Sequence, residues 1–140
     1  MAVFDGLNWL GVATGISANA AADIFVPIPS GSKRVLFDKV VFTNPSATLA
    51  SATTTGGVYT AVSAGGSAIV TAATGTLTPL TAAAKYLAGT IASPATTDAL
   101  LLTQQTSGAN AGLTGVFVNV GGTPNVAATF DVYIGGRILG

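Results

Sequence analysis

The chain has no cysteine and no histidine. Without thiols there is no disulfide framework and no thiolate metal site. Without imidazole, Ser-His and Cys-His nucleophile pairs and imidazole metal sites are excluded. The lack of cysteine fits folding in a reducing cytoplasm. Glutamate is missing as well, and all acidic residues are Asp. Charged residues make up 7% of the chain, against about 25% in ordinary soluble domains. Between Lys39 and Lys85 no charged side chain occurs.

These shortages exclude several classes of function. A nucleic-acid binder needs a basic face to displace counterions from phosphates. Lys33, Arg34, Lys39, Lys85 and Arg137 are scattered, and Asp38 interrupts the one close group. Disorder is excluded by the reverse composition, because 49% of residues are hydrophobic and the net charge is zero. No run of about 18 residues is continuously apolar, as a membrane helix requires. The opening MAVFDGLNWLG carries no Lys or Arg and lacks the basic start of a secretory signal.

What remains is a chain of 140 residues rich in small and hydroxyl side chains, with 20 Thr and 9 Ser. This length suits one domain. Thr suits strands, and hydroxyls hold water without charge. A neutral surface gives little repulsion between molecules and favours association. The chain is then either an ordinary sandwich of unusual composition or, as expected here, one whose surface largely packs against other subunits.

Periodicity predicts strands. In 115–122, Val116, Val118 and Val120 share one face, with Phe117 and Asn119 on the other. In 126–136, Val126, Ala128, Phe130, Val132 and Ile134 alternate with Ala127, Thr129, Asp131 and Tyr133. The Gly-Gly-Thr-Pro-Asn between them reads as the turn of a hairpin. In 34–44, Val35 and Phe37 have one parity and Val40 and Phe42 the other. A bulge at Asp38-Lys39 brings all four to one face, and Pro45 ends the strand. Residues 23–29, with their prolines, suit an edge strand.

Shorter runs follow at 47–50, 58–62, 68–71, 86–91 and 100–103, punctuated by Gly56-Gly57, Gly65-Gly66, Gly75, Gly89 and Gly108. The segment 79–89 offers at most one helical turn. Many short strands with regular turn signals give an all-β antiparallel sandwich or barrel. There is no internal repeat and no linker. The expected organisation is a single domain, with 1–22 as an N-terminal arm or first strand and 23–140 as the sandwich.

The sequence gives little support for catalysis. Asp5, Asp23, Asp38, Asp98 and Asp131 are far apart, share no motif, and read as solvated or turn-forming. Ser30-Gly31-Ser32-Lys33 matches S-x-x-K, but Pro29 and Gly31 argue for a loop where that motif needs a helical turn. No phosphate-binding glycine loop or calcium-loop spacing is present. No enzyme activity, cofactor or metal is expected. Phe25, Phe37, Phe42, Phe117 and Phe130 read as core. Phe4, Leu7, Trp9 and Leu10 lie in a stretch broken by turn residues. That stretch is either a first strand or an arm whose apolar side chains anchor a partner. These four are the candidate partner-binding residues.

Three segments resemble small head proteins of tailed bacteriophages: 40-VVFTNPSATLASATTTGGVYTAVSAGGSAIV-70, 77-LTPLTAAAKYLAGTIASPATTDALL-101 and 129-TFDVYIGGRIL-139. The shared features are a hydrophobic strand ending in T-N-x-S-A, a G-x-Y-T-A turn before a Gly-Gly, L-T-A-A-x-K-Y-L, T-T-D-A-L, and a terminal D-V-Y-I-x-G strand. Together they span about residues 34 to 139. The resemblance implies a jelly-roll-like sandwich that cements or decorates the outside of a capsid. Its partners would be the major capsid protein and further copies of itself, as a dimer by default or a trimer. It would be made in the host cytoplasm and end in the virion, with no nucleic acid or membrane partner. The other reading is a tail, fibre or adhesin-like sandwich module; a glycan binder of that kind would want exposed aromatic platforms and carboxylates, and Trp9 is the only tryptophan.

Overall fold

The computed structural model describes residues 9–49, 53–71, 77–92, 99–123 and 127–139. Among the described residues, nine strands form two antiparallel sheets. They are β1 (Trp9–Ser17), β2 (Ala22–Pro27), β3 (Arg34–Thr43), β4 (Thr53–Ala61), β5 (Gly65–Val70), β6 (Tyr86–Ala88), β7 (Leu100–Leu101), β8 (Gly115–Thr123) and β9 (Thr129–Leu139). One sheet has the order β1-β9-β3-β6, with β7 also paired to β3. The other has the order β2-β8-β4-β5. This is a jelly-roll order, in which the chain keeps passing from one sheet to the other. No helix occurs among the described residues, so the segment 79–89 holds turns and the short strand β6.

The core lies between the sheets. Val35, Phe37, Val40 and Phe42 of β3 are all fully buried. They share a face because the pairing with β9 shifts between Phe37 and Lys39, leaving Asp38 as the extra residue of a bulge. Opposite it, a Cβ on Gly136 would collide with the Leu36 carbonyl oxygen, so only glycine allows the strands this approach. Phe130, Val132 and Ile134 of β9 and Val116, Val118 and Val120 of β8 complete the facing walls. The Phe42 and Phe130 rings meet with centroids 6.3 Å apart.

Two expectations are overturned. The strands β8 and β9 are not a hairpin, since β8 pairs with β2 and β4 while β9 pairs with β1 and β3. Their inward residues face each other across the core, so the connection crosses between sheets. Gly56-Gly57 does not mark a turn but sits inside β4. A Cβ on Gly56 would lie 2.8 Å from Cε1 of Phe42, so the glycine makes room for that ring.

The phenylalanines divide. Phe37, Phe42 and Phe130 lie in the inter-sheet core, whereas Phe25 and Phe117 lie on the outer face of the second sheet, where Phe117 is nonetheless buried and Phe25 half-buried. There Phe25 pairs with Phe117, and Phe117 with Tyr59. The Phe25 and Phe117 rings pack edge-on at 5.3 Å. Strand parity requires this, because Val116 and Val118 point inward. The β4–β5 turn has both central residues, Ser63 and Ala64, at positive φ. Its Ser63 amide donates to Asp23 Oδ2 at 3.1 Å, drawing the turn across this outer face. Asn119 donates to Asp23 Oδ1 at 2.9 Å. Asp23 is thus a fastening group, as is Asp131.

Candidate functional site

The outer face of the first sheet carries an aromatic slot. On β3, Val40 and Phe42 point inward, so Lys39, Val41 and Thr43 point outward. Tyr133 on β9 pairs with Val41, and Tyr86 on β6 pairs with Thr43. These strands flank β3 on opposite sides, so the two tyrosines stand as walls over a floor of Val41 and Thr43. Trp9, at the start of β1, extends the Tyr133 wall, with an edge-on ring contact at 5.6 Å. Val41 is only 4% exposed despite facing outward, because the rings shield it. Trp9 and Tyr86 are 44% and 61% exposed. The slot is an open depression of about 460 Å³, and among the described residues Lys39 is the one charged group that lines it.

The sequence singled out Trp9 but missed Tyr86, Tyr133, Lys39 and Thr43. Tyr133 had a usable signal, its outward parity in β9. Nothing local in K-Y-L showed that β6 would dock beside β3. Leu10 faces the other way and packs against the core. Residues 9–17 form a strand paired along β9. Phe4 and Leu7 lie outside the described residues.

A second feature lies at the end of the sandwich where β2 ends and β3 and β8 begin. It is a groove of about 940 Å³, lined by Pro27, Pro29, Leu101, Leu102, Leu113 and neighbouring uncharged residues. Leu101 and Leu113 are each about half exposed. The groove wall is held by a small polar network. The Ile28 amide donates to the Thr114 carbonyl at 2.8 Å, and Thr114 Oγ1 donates to the Ile28 carbonyl at 2.7 Å. With that proton committed, the buried Ser30 hydroxyl is the donor in its 3.1 Å contact with Thr114 Oγ1.

The S-x-x-K match is resolved by the same residues. The Lys33 amide donates to the Ser30 carbonyl in a turn, with Gly31 at positive φ. Ser30 is buried and Lys33 exposed, so the pair does not form a nucleophile and base.

Comparison with family models, curated proteins and solved structures gave no match.

The chemistry of the two features therefore rests on their own geometry. The groove offers apolar area, and the Thr114 hydroxyl in its wall is already held by Ser30 and the Ile28 carbonyl. The slot offers aromatic faces, a threonine hydroxyl and an ammonium. Thr43 Oγ1 donates to the Lys85 carbonyl at 2.6 Å, which leaves its lone pairs open to a donor. Among the described residues, no three carboxylates, thiols or imidazoles gather as a metal site.

Proposed function

We propose that this chain is a structural component of a phage particle, a decoration protein that binds the outside of the head and braces contacts between shell subunits. The observation that carries this reading is the groove at one end of the sandwich. An open apolar recess with no charged residue among the described residues of its lining suits contact with another protein surface, since burying them incurs no charge desolvation. The resemblance to phage head proteins supports the same reading. Of its quoted features, T-N-P-S-A leaves β3, G-V-Y-T-A lies in β4, Tyr86 and Leu87 of K-Y-L lie in β6 and D-V-Y-I-G-G lies in β9, while Thr96, Thr97 and Asp98 of T-T-D-A-L lie outside the described residues.

A subunit that binds the assembled shell and not its loose pieces stabilises the shell by mass action. Many such contacts on one lattice reinforce each other by avidity. Copy number tests the reading. Particles are purified on a density gradient, and this chain is quantified by mass spectrometry against the main shell subunit. A simple lattice ratio is expected, together with earlier heat rupture of particles lacking the chain. Particles equally stable without it would sink the bracing role. A few copies per particle would assign the chain to the tail or a fibre, the reading favoured by the exposed aromatic slot.

A further inference from the structure

Beyond attachment to a head, we propose that the slot formed by Trp9, Tyr133 and Tyr86 binds an acidic saccharide, a sugar of the uronic-acid class.

The slot is wide enough for a sugar ring. Tyr133 and Tyr86 stand on strands flanking β3 and pair with residues two apart along it, so their backbones are about 12 Å apart. A ring held between two walls needs about 3.5–4.0 Å of contact distance on each side, or about 7–8 Å in all. The tyrosines are offset by two residues along β3, opposite Val41 and Thr43. The slot is therefore diagonal and long enough for a ring and its substituents. A pyranose has C–H-rich faces that pack on aromatic rings and a rim of hydroxyls that hydrogen-bond. The slot matches both, with the Trp9, Tyr133 and Tyr86 rings as faces and the Thr43 hydroxyl on its floor.

Charge selects within the class. Among the described residues the lining contains one cation, Lys39, and no carboxylate. Arg137 follows Tyr133 and Gly135 at the same outward parity of β9, on the Lys39 side. Asp38 is exposed in the bulge and does not line the slot. Asp131, beyond Thr43, already accepts from the Gly15 amide and the Asn44 side chain. A sugar carboxylate beside Lys39 gains a charge-assisted hydrogen bond that a neutral sugar lacks.

Trp9 is the only tryptophan, so its emission reports on the slot directly. The full chain is titrated with galacturonic acid trimer and, in parallel, with maltotriose. The expected result is a saturable shift of Trp9 emission with the uronate, at least about tenfold tighter than with maltotriose at low salt. Lys39→Gln should abolish that preference, and Tyr86→Ala should weaken both sugars, with the unfolding midpoint of each variant near that of the parent. An unchanged emission with either sugar up to about 10 mM overturns the proposal. So does equal binding of the two sugars, or uronate binding that survives Tyr86→Ala. An emission shift that follows protein concentration without sugar assigns the slot to a second copy and overturns it too. None of these outcomes depends on head attachment, which copy number tests separately.

Discussion

Asp131 Oδ1 accepts a hydrogen bond from the Gly15 amide at 2.9 Å, across 116 residues of sequence. Its other oxygen accepts from Asn44 Nδ2 at 3.0 Å. One carboxylate thus fastens the irregular stretch of β1 between Ala13 and Ile16 to the end of β3. Gly15 and Asn44 both have positive φ, so the bonds hold backbone that regular pairing leaves unsupported. Asp131→Ala removes both acceptors and should cost about 1–2 kcal/mol in urea unfolding. Asp131→Asn should cost less, because an amide oxygen still accepts from Gly15 and the Asn44 amide can turn.

Two glycines should separate by what a new methyl would meet. At Gly56 the obstacle is the Phe42 ring edge, with Leu77 Cδ2 at 3.3 Å, and side chains can shift. Gly56→Ala should therefore cost about 1–3 kcal/mol, as overpacked cores do. At Gly136 the obstacle is the Leu36 carbonyl, fixed in the β3–β9 ladder. Gly136→Ala should exceed the cost at Gly56 and approach loss of the folded state, read as soluble yield and melting temperature.

The Ser30–Thr114 pair should behave as a unit. Thr114→Val keeps the shape but leaves the buried Ser30 hydroxyl without its acceptor, at a cost of about 1–3 kcal/mol. Ser30→Ala in that background should restore part of the loss, because no orphaned hydroxyl remains. A double-mutant cycle with a coupling energy near zero would contradict the proton arrangement assigned to the network.

Local pattern made much of the fold legible, and long-range choice hid the rest. The β3 bulge could be read because Val35 and Phe37 change parity with Val40 and Phe42, which only an extra residue reconciles. The inward faces of β8 and β9 could be read from strict alternation. Their pairing could not, because Gly-Gly-Thr-Pro-Asn says that the chain turns but not which sheet it enters. Gly56-Gly57 misled for a related reason: glycine marks both turns and close approach, and only Phe42 packed against β4 tells them apart. In the slot, Trp9 was visible as the sole tryptophan in an apolar stretch. Tyr86 and Tyr133 are neighbours only through β3, which separates them in the sheet and lies far from both in sequence.

The groove makes a prediction about salt. Contacts between charged surfaces weaken as ions screen them, with a Debye length of about 10 Å at 0.1 M. A contact made through Leu101, Leu113 and the prolines has no such charges to screen. If the groove is the shell-facing surface, binding to shells stripped of this chain should change less than about threefold between 0.05 and 0.5 M salt. Leu113→Asp should weaken that binding at least about tenfold, because it places a carboxylate against an apolar partner. The substitution is at a half-exposed position, so the fold should persist, as unfolding of the isolated variant checks. Steep salt dependence with Leu113→Asp still binding would move the shell contact to another face. The cations Lys33 and Arg34, both exposed, would then be the first to replace.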